Sequence, residues 1–458
     1  MNKSKPFASI LAALLLVAAG FVSCNSEESS SSSDALSNHC AINNAILGNM
    51  RRTVSTVNVY GRDTTYVTTV AGSIYPMYID QYRQEIYNPD SLPKGTHVDK
   101  VVFSSISSDG ILAYRTDWGT DTLYSTTDSL DFTQPRIITC YSYSGLAKKA
   151  YTVHVNVHEQ EPEAFQWNRV GASLDALRET TAQRSFCKDG RLYVFALVAG
   201  EARLLTSDDG ETWDNQPLSL NAFSPYSVQL FKGTFFALDG RDIVTSADGQ
   251  AWASADANIS ADALPAQGSR HLFAVSNGSM YVSADGKDWQ LDAVENAAEA
   301  ELADAEFSSA WFPMSFNANF EYVLMAGSRG GHYAEWKKTI DREGRNTEPW
   351  SSYQFGGERT YPFPDLAHVQ VLKYDEKAVA LGCLNDTLSL FYVSSDAGRT
   401  WLPQRTQFLH PVAVQADNLS CVVDEDNYMW IFCGGSGQVW RGRLNRLGFK
   451  TNQTKFTK

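Results

Sequence analysis

The sequence predicts an all-β chain, an antiparallel β-sandwich followed by a six-bladed β-propeller, with seven blades as the alternative. Three observations carry that prediction. A short turn built from Ser, Asp, Gly and Trp recurs four times between residues 207 and 401. Residues 53–157 alternate polar with β-branched or aromatic side chains. An acidic, Pro-containing stretch, Glu159-Gln160-Glu161-Pro162-Glu163, separates the two regions and reads as a hinge. Period-two alternation broken by Gly, Asn, Asp and Pro is the pattern of half-buried antiparallel strands, and a repeat near forty residues in a β-rich chain marks the blades of a propeller.

At the N-terminus, Lys3 and Lys5 precede an apolar run from Phe7 to Phe21, and Val22-Ser23-Cys24 follows. That is the outline of a signal peptide over residues 1–23. Residues 24–39 are polar, acidic and Ser-rich, with too little apolar surface to fold, so they read as a tether. A Cys directly after a small residue resembles a bacterial lipobox, here with Phe21 in place of the usual Leu. The resemblance implies that Cys24 is acylated and becomes the anchored mature N-terminus. The acidic segment after it resembles the surface-export signal of Bacteroidetes lipoproteins. It implies an outer-membrane protein held by lipid and facing the cell exterior. No later run of eighteen apolar residues suggests a membrane span.

Residues 40–160 are expected to form the sandwich, of Ig-like size. Its strands include Val54–Tyr60, Asp99–Phe103 and Tyr151–Val157, the last of which resembles the closing strand of bacterial Ig-like domains. A spacer role is expected of it. His154 and His158 lie four apart, but no third ligand stands at metal spacing, and a solvated sheet face is expected; no metal or cofactor is predicted. Of the seven cysteines, Cys187, Cys383, Cys421 and Cys433 fall in or beside apolar runs and read as small buried hydrophobes, while a Cys40–Cys140 bridge stays open.

Residues 161–450 are expected to form the propeller. The four turns place together Ser207, Asp209, Gly210 and Trp213; Ser246, Asp248, Gly249 and Trp252; Ser283, Asp285, Gly286 and Trp289; and Ser394, Asp396, Gly398 and Trp401. Their Asp residues are separated by 39, 37 and 111 positions. The carboxylate can accept backbone N–H groups of its own turn, the Gly can take positive φ, and the Trp can fold back as an apolar plug. The motif resembles the Asp-box, or BNR, repeat of sialidases and other propellers. The resemblance implies that it joins the third and fourth strands of a blade, on the face away from the ligand funnel. The long interval reads as one degenerate blade, Trp311–Phe316, Glu321–Gly327 and Gly331–Lys337, with a turn near Asp341–Gly344 and Trp350 replacing the box, and then the blade that owns Trp401. The last blade lacks a fourth strand, which Phe165–Val170 can supply from the N-terminal side.

Sialidases bind a carboxylate with three Arg and use a Tyr activated by a Glu, beside an Arg-Ile-Pro motif. Here Arg136-Ile137 is followed by Ile138 and lies in the first region, and the sequence discloses no Tyr–Glu pair. Walker, GxGxxG, HExxH and Gly-x-Ser-x-Gly motifs are missing too. A net charge of −14 excludes the basic footprint of a nucleic-acid binder. The reading left is binding of an extracellular glycan or protein, without catalysis, through the propeller face opposite the boxes; a glycan-acting hydrolase or lyase is the alternative. Residues expected to enter the inner strands and ring that mouth are Arg184, Tyr226, Arg270, His271, Trp311 and His368. The overall resemblance is to two-domain lipoproteins of gut Bacteroidetes.

Overall fold

The computed structural model describes residues 36–57, 62–116, 118–295, 302, 305–314, 317–329, 332–343, 348–352, 361–404 and 414–449. The leader, Cys24 and most of the tether lie outside the described residues, as do Phe316, Gly331 and Gly344. The chain divides into two compact units, residues 1–162 with 449–458, and Glu163–Gly448.

The first unit is all β. Its largest sheet runs Tyr78–Asp80, Glu85–Tyr87, Lys148–His154, Arg136–Tyr141, Ile111–Arg115, Asp121–Leu123, and two strand pairs, Ile42–Leu47 with Phe103–Ser108 and Asn49–Val57 with Asp63–Ala71, accompany it. One pairing departs from the antiparallel expectation: Glu85–Tyr87 runs parallel to Lys148–His154. Parallel neighbours need a long crossover, and the sixty-odd residues between them provide it. Ile42, Leu47, Phe103, Ile138, Tyr151 and Val153 make the centre of its core. Cys40 and Cys140 are buried free thiols. His158, expected on a solvated face, is buried instead.

The second unit is a β-propeller. Among the described residues it holds six sheets, each built on four antiparallel strands. The first strands are Thr180–Lys188, Gln229–Phe231, Ala263–Gln267, Ala305–Met314, Ala367–Tyr374 and Leu419–Val423. From the second blade on each contacts the next, Thr180–Lys188 meets the second blade at its turn Pro225–Ser227, and the series closes on itself, Leu419–Val423 touching Thr180–Lys188. Second strands such as Lys377–Leu384 and Met429–Cys433 are buried along nearly their whole length. They face a neighbouring blade on both sides, so their sequences run apolar and do not alternate. The sixth sheet takes its fourth strand from the other end of the unit: Phe165–Arg169 pairs with Val439–Leu444. Chain ends meeting in one sheet remove the free edges that an open array would leave.

The first strand of the third blade is a correction to the sequence reading, which set Arg270 and His271 at the entry to it and so took the segment after them, His271–Val275, for that strand. That segment is the second strand, and Ala263–Gln267 precedes it. Pro265 disguises the true first strand, since a proline cannot donate to a ladder; the register shifts between Ala263 and Ala266 to accommodate it.

The four tryptophan turns share one hydrogen-bond scheme. In the third blade, Ser283 Oγ donates to Asp285 Oδ1 (3.0 Å) and accepts the Gly286 N–H (2.8 Å). Asp285 Oδ1 accepts the N–H groups of Lys287 (2.9 Å) and Asp288 (3.0 Å), and the Trp289 indole N–H donates to the Gly286 carbonyl (2.9 Å). Gly286 has φ +81°, and a Cβ there would sit 2.2 Å from the Phe236 ring of the second blade. The turn therefore docks sideways on the preceding blade, and its glycine is needed for both conformation and space.

The docking recurs around the ring. Trp213 meets Phe432 of the sixth blade edge-on at 5.5 Å, Trp252 meets Phe195 of the first at 6.2 Å, and Trp401 is buried against Leu324 and Phe312 of the fourth. The fourth blade has no box, yet Trp350 is fully buried at 5.0 Å from Phe273 of the third, with its indole N–H given to Asp292 (3.0 Å). In the sixth blade Trp167 stacks at 5.8 Å on Phe391 of the fifth. Each blade thus sends one indole into its predecessor.

Replacing Trp401 by Ala removes a fully buried indole and is expected to cost about 3–5 kcal/mol, measured by equilibrium denaturation; Gly286→Ala is expected to destabilise through strain and the Phe236 clash. The Thr212 and Glu211 N–H groups hold the Asp209 carboxyl down at about 2. A carboxylate so lowered stabilises the fold above its ordinary range near 3.9, and that contribution is lost as the pH falls through about 2. Asp209→Asn should therefore melt below the parent protein at pH 7, and the two melting temperatures should converge toward pH 2.

Candidate functional site

Two ends of the propeller can be told apart by the tryptophan turns. Hairpins between first and second strands lie at the turn end: Lys188 Nζ donates to the Ala247 carbonyl (2.5 Å) and Lys232 Nζ to that of Ala284 (2.9 Å), both within turns. The opposite end is where first strands begin. Here the described residues bring together Tyr226, Glu306, Tyr333 and His368.

Backbone irregularity aims these side chains. Glu306 (φ +53°) and His368 (φ +52°) are non-glycine residues in the left-handed region, each at a register shift near the start of a first strand, in the fourth and fifth blades. Such a conformation costs roughly 1–2 kcal/mol per residue, and a bulge re-aims the side chain that it carries. Tyr226 comes from the 3₁₀ turn Pro225–Ser227 of the second blade, and Tyr333 from the second-to-third-strand hairpin of the fourth.

The Tyr333 hydroxyl donates to Glu306 Oε2, and it accepts the His368 backbone N–H (2.8 Å). His368 Nδ1 stands 3.3 Å from Glu306 Oε2 and 3.3 Å from the Tyr226 hydroxyl. Burial pushes the Glu306 carboxyl up, but bonds from His368 and Tyr333 outweigh it and leave the group below its ordinary range, hence ionised at neutral pH. Burial and the Glu306 charge raise both phenols, so they remain protonated donors. The side chains of His368 and Glu306 stay 21% and 25% exposed, enough for a ligand to reach them. Two phenols, a carboxylate and an imidazole can bind hydroxyl or amide groups, or pass a proton between them.

Arg184 lies beneath this cluster. Its guanidinium donates to the carbonyls of Tyr226 (3.0 Å) and Phe307 (3.1 Å), tying the first blade to the second and fourth. Burial lowers it to about 10, still protonated at neutral pH, and no carboxylate pairs with it among the described residues. Its role is that of a strut. It also lines a central channel of about 310 Å³ with Ser185, Gln267, Ser309, Trp311 and Gln370. The Ser185 and Ser309 hydroxyls and the Gln267 carbonyl there are buried without a hydrogen-bond partner among the described residues.

Of the six residues expected at the mouth, the structure brings Tyr226 and His368 together and sets Arg184 under them. Trp311 lies in the second half of its strand, along the channel. Arg270 and His271 belong to the hairpin that leaves the first strand of the third blade, so they sit at the turn end, the reverse of the expectation. They line a depression of about 710 Å³ there with Lys232 and Arg342. Their misplacement follows from the disguised strand at Pro265. The structure holds a hydrogen-bonded Tyr and Glu that the sequence did not disclose, Tyr333 with Glu306. Glu306 hides in the acidic run Glu295, Glu299, Glu301, Asp304, Glu306, which reads as solvated; its positive φ carries no sequence signal.

No curated protein matches the sequence. Among solved structures, the chain resembles a virginiamycin B lyase from Staphylococcus aureus (8% identity, TM-score 0.35, covering 75% of this chain and 98% of that one). It also resembles a family 117 glycoside hydrolase from Zobellia galactanivorans (12%, 0.30, covering 61% and 90%) and a putative glycosidase from Bacteroides thetaiotaomicron (10%, 0.33, covering 58% and 86%). Likeness at this level assigns no activity. Residues 46–155 match the N-terminal domain of the family described as Domain of unknown function (DUF6242), and residues 161–452 match the DUF6242 beta propeller domain. With the propeller match spanning more than half of its length, the chain belongs to the DUF6242 beta propeller family.

Proposed function

We propose that this protein is a lipid-anchored outer-membrane protein, facing the cell exterior, that binds an extracellular glycan or protein at the propeller end opposite the tryptophan turns, without catalysis. In this reading the turns are Asp-boxes with a structural role, and Cys24 carries the anchor. The observation that carries the reading is the Tyr226, Glu306, Tyr333 and His368 cluster. Strain at Glu306 and His368 is kept where a regular strand would be more stable, which is the pattern of a functional site. Partly exposed polar groups converging at one end of the propeller suit directional hydrogen bonding to a polar ligand.

A second reading, a glycan-acting hydrolase or lyase, is favoured by one feature, the Tyr333 hydroxyl bonded to the Glu306 carboxylate. Probing the full chain on a glycan array and against labelled glycans separates the two. Binding without product, lost at least tenfold in Glu306→Gln and Tyr226→Phe, is the result expected; product formation abolished by Tyr333→Phe establishes the second reading instead. For the anchor, Cys24→Ala is expected to move the protein from the membrane fraction to the soluble one, and protease added to whole cells should remove the native protein.

A further inference from the structure

The first unit carries an aromatic plate that its own fold does not use. Trp118 is 91% exposed, on the hairpin joining Ile111–Arg115 to Asp121–Leu123. A protein surface tolerates scattered apolar atoms, but a whole indole left in water forgoes roughly 150–250 Å² of burial. Hydrogen bonds tie the described residues of this hairpin together. Thr116 N–H donates to the Thr120 carbonyl (2.8 Å), Gly119 N–H to the Thr116 carbonyl (2.9 Å), and the Thr116 and Thr120 hydroxyls bond at 2.8 Å. Nothing lies within 4 Å of where a Gly119 side chain would begin, so that side of the turn is open.

Below the indole lies a groove in two joined parts. One, of about 460 Å³, is lined by Trp118, Asp99, Lys100, Tyr114, Asp131 and Arg136; the other, of about 320 Å³, continues past Asp131 and Arg136 toward Gln134 and Ile137. Asp131 and Arg136 are fixed: Asp131 Oδ1 accepts the Thr133 N–H (2.8 Å) and hydroxyl (2.7 Å), and Arg136 donates to the Asp131 carbonyl. The Lys100 ammonium and the Tyr114 hydroxyl have no hydrogen-bond or ion-pair partner among the described residues. Beneath the indole two carboxylates face two cations, and Arg115, which lines the other part, is paired with Asp121 (3.0 Å), so the lining is close to neutral.

We infer that this groove is a glycan-binding site of the first unit, in which the Trp118 indole stacks on the apolar face of a neutral pyranose while Lys100, Tyr114 and Asp99 take its hydroxyls. A sugar ring offers what the groove lacks: a flat C–H face for the indole and a rim of hydroxyls that both donate and accept. Pockets that orient small ligands combine an apolar wall with a few placed polar groups in about 300–1,000 Å³, and both parts of the groove fall in that range. A charged glycan is disfavoured, because the lining charges balance and the chain as a whole carries −14. The first unit is then a second binding module, and the inference stands apart from the propeller mouth.

The test uses the full chain with the propeller mouth disabled by Glu306→Gln, on an array of neutral oligosaccharides, followed by titration of the best binder in that background with and without Trp118→Ala, Trp118→Phe and Lys100→Ala. Binding is expected to weaken at least tenfold on adding Trp118→Ala and less on adding Trp118→Phe. The melting temperature should hold throughout, since Trp118 belongs to no core cluster. Failure of every neutral glycan to bind overturns the inference, as does equal binding by Trp118→Ala. Neither outcome touches the propeller reading, whose residue is already replaced in every protein compared.

Discussion

The propeller depends on an indole buried in the flank of the blade before it. Every blade supplies one: Trp213, Trp252, Trp289, Trp350 and Trp401 near the start of fourth strands, and Trp167 on the strand that closes the ring. A four-stranded sheet with two apolar faces is insoluble alone, so it must be covered on both sides. The indole adds direction to that general demand. It projects from the outer edge of one sheet and covers its neighbour, so each blade needs the preceding one, and the series is satisfied only when the sixth meets the first.

The turns make the indoles cheap to place. A Ser hydroxyl, an Asp carboxylate and a Gly carbonyl absorb the backbone and indole donors locally, so the Trp is delivered with its N–H already satisfied. Where the turn is missing, substitutes differ in quality. Trp350 reaches Asp292, itself held by Lys338 (2.8 Å), whereas the Trp167 indole nitrogen is buried and finds no acceptor among the described residues. A ring secured at the turn end leaves the opposite end free to hold strained backbone at Glu306 and His368.

Much of this was legible in the sequence because the turn motif is local. Ser, Asp, Gly and Trp within eight positions announce both conformation and strand order, and Trp350 and the closing strand at Phe165 follow from the gap and the missing edge that they leave. The mouth was only partly legible. Tyr226 and His368 precede or open apolar strands and could be found; Glu306 and Tyr333 could not, since bulges and a hairpin in one blade bring them together across 27 positions. Arg270 and His271 were assigned to the wrong end for one reason, a first strand carrying Pro265. Trp118 gave no signal, because exposure of an aromatic residue in an alternating strand region depends on which face its hairpin takes.

The account rests on the tryptophan turns being part of the rigid core and not surface loops. Native-state hydrogen exchange tests this directly. The amides of Gly210, Gly249, Gly286 and Gly398, each bonded to a turn Ser hydroxyl, should exchange as slowly as those of the buried second strands, because releasing them requires an indole to leave its neighbour. Exchange of these four amides at the rate of exposed hairpin loops, with the second strands still protected, would contradict it.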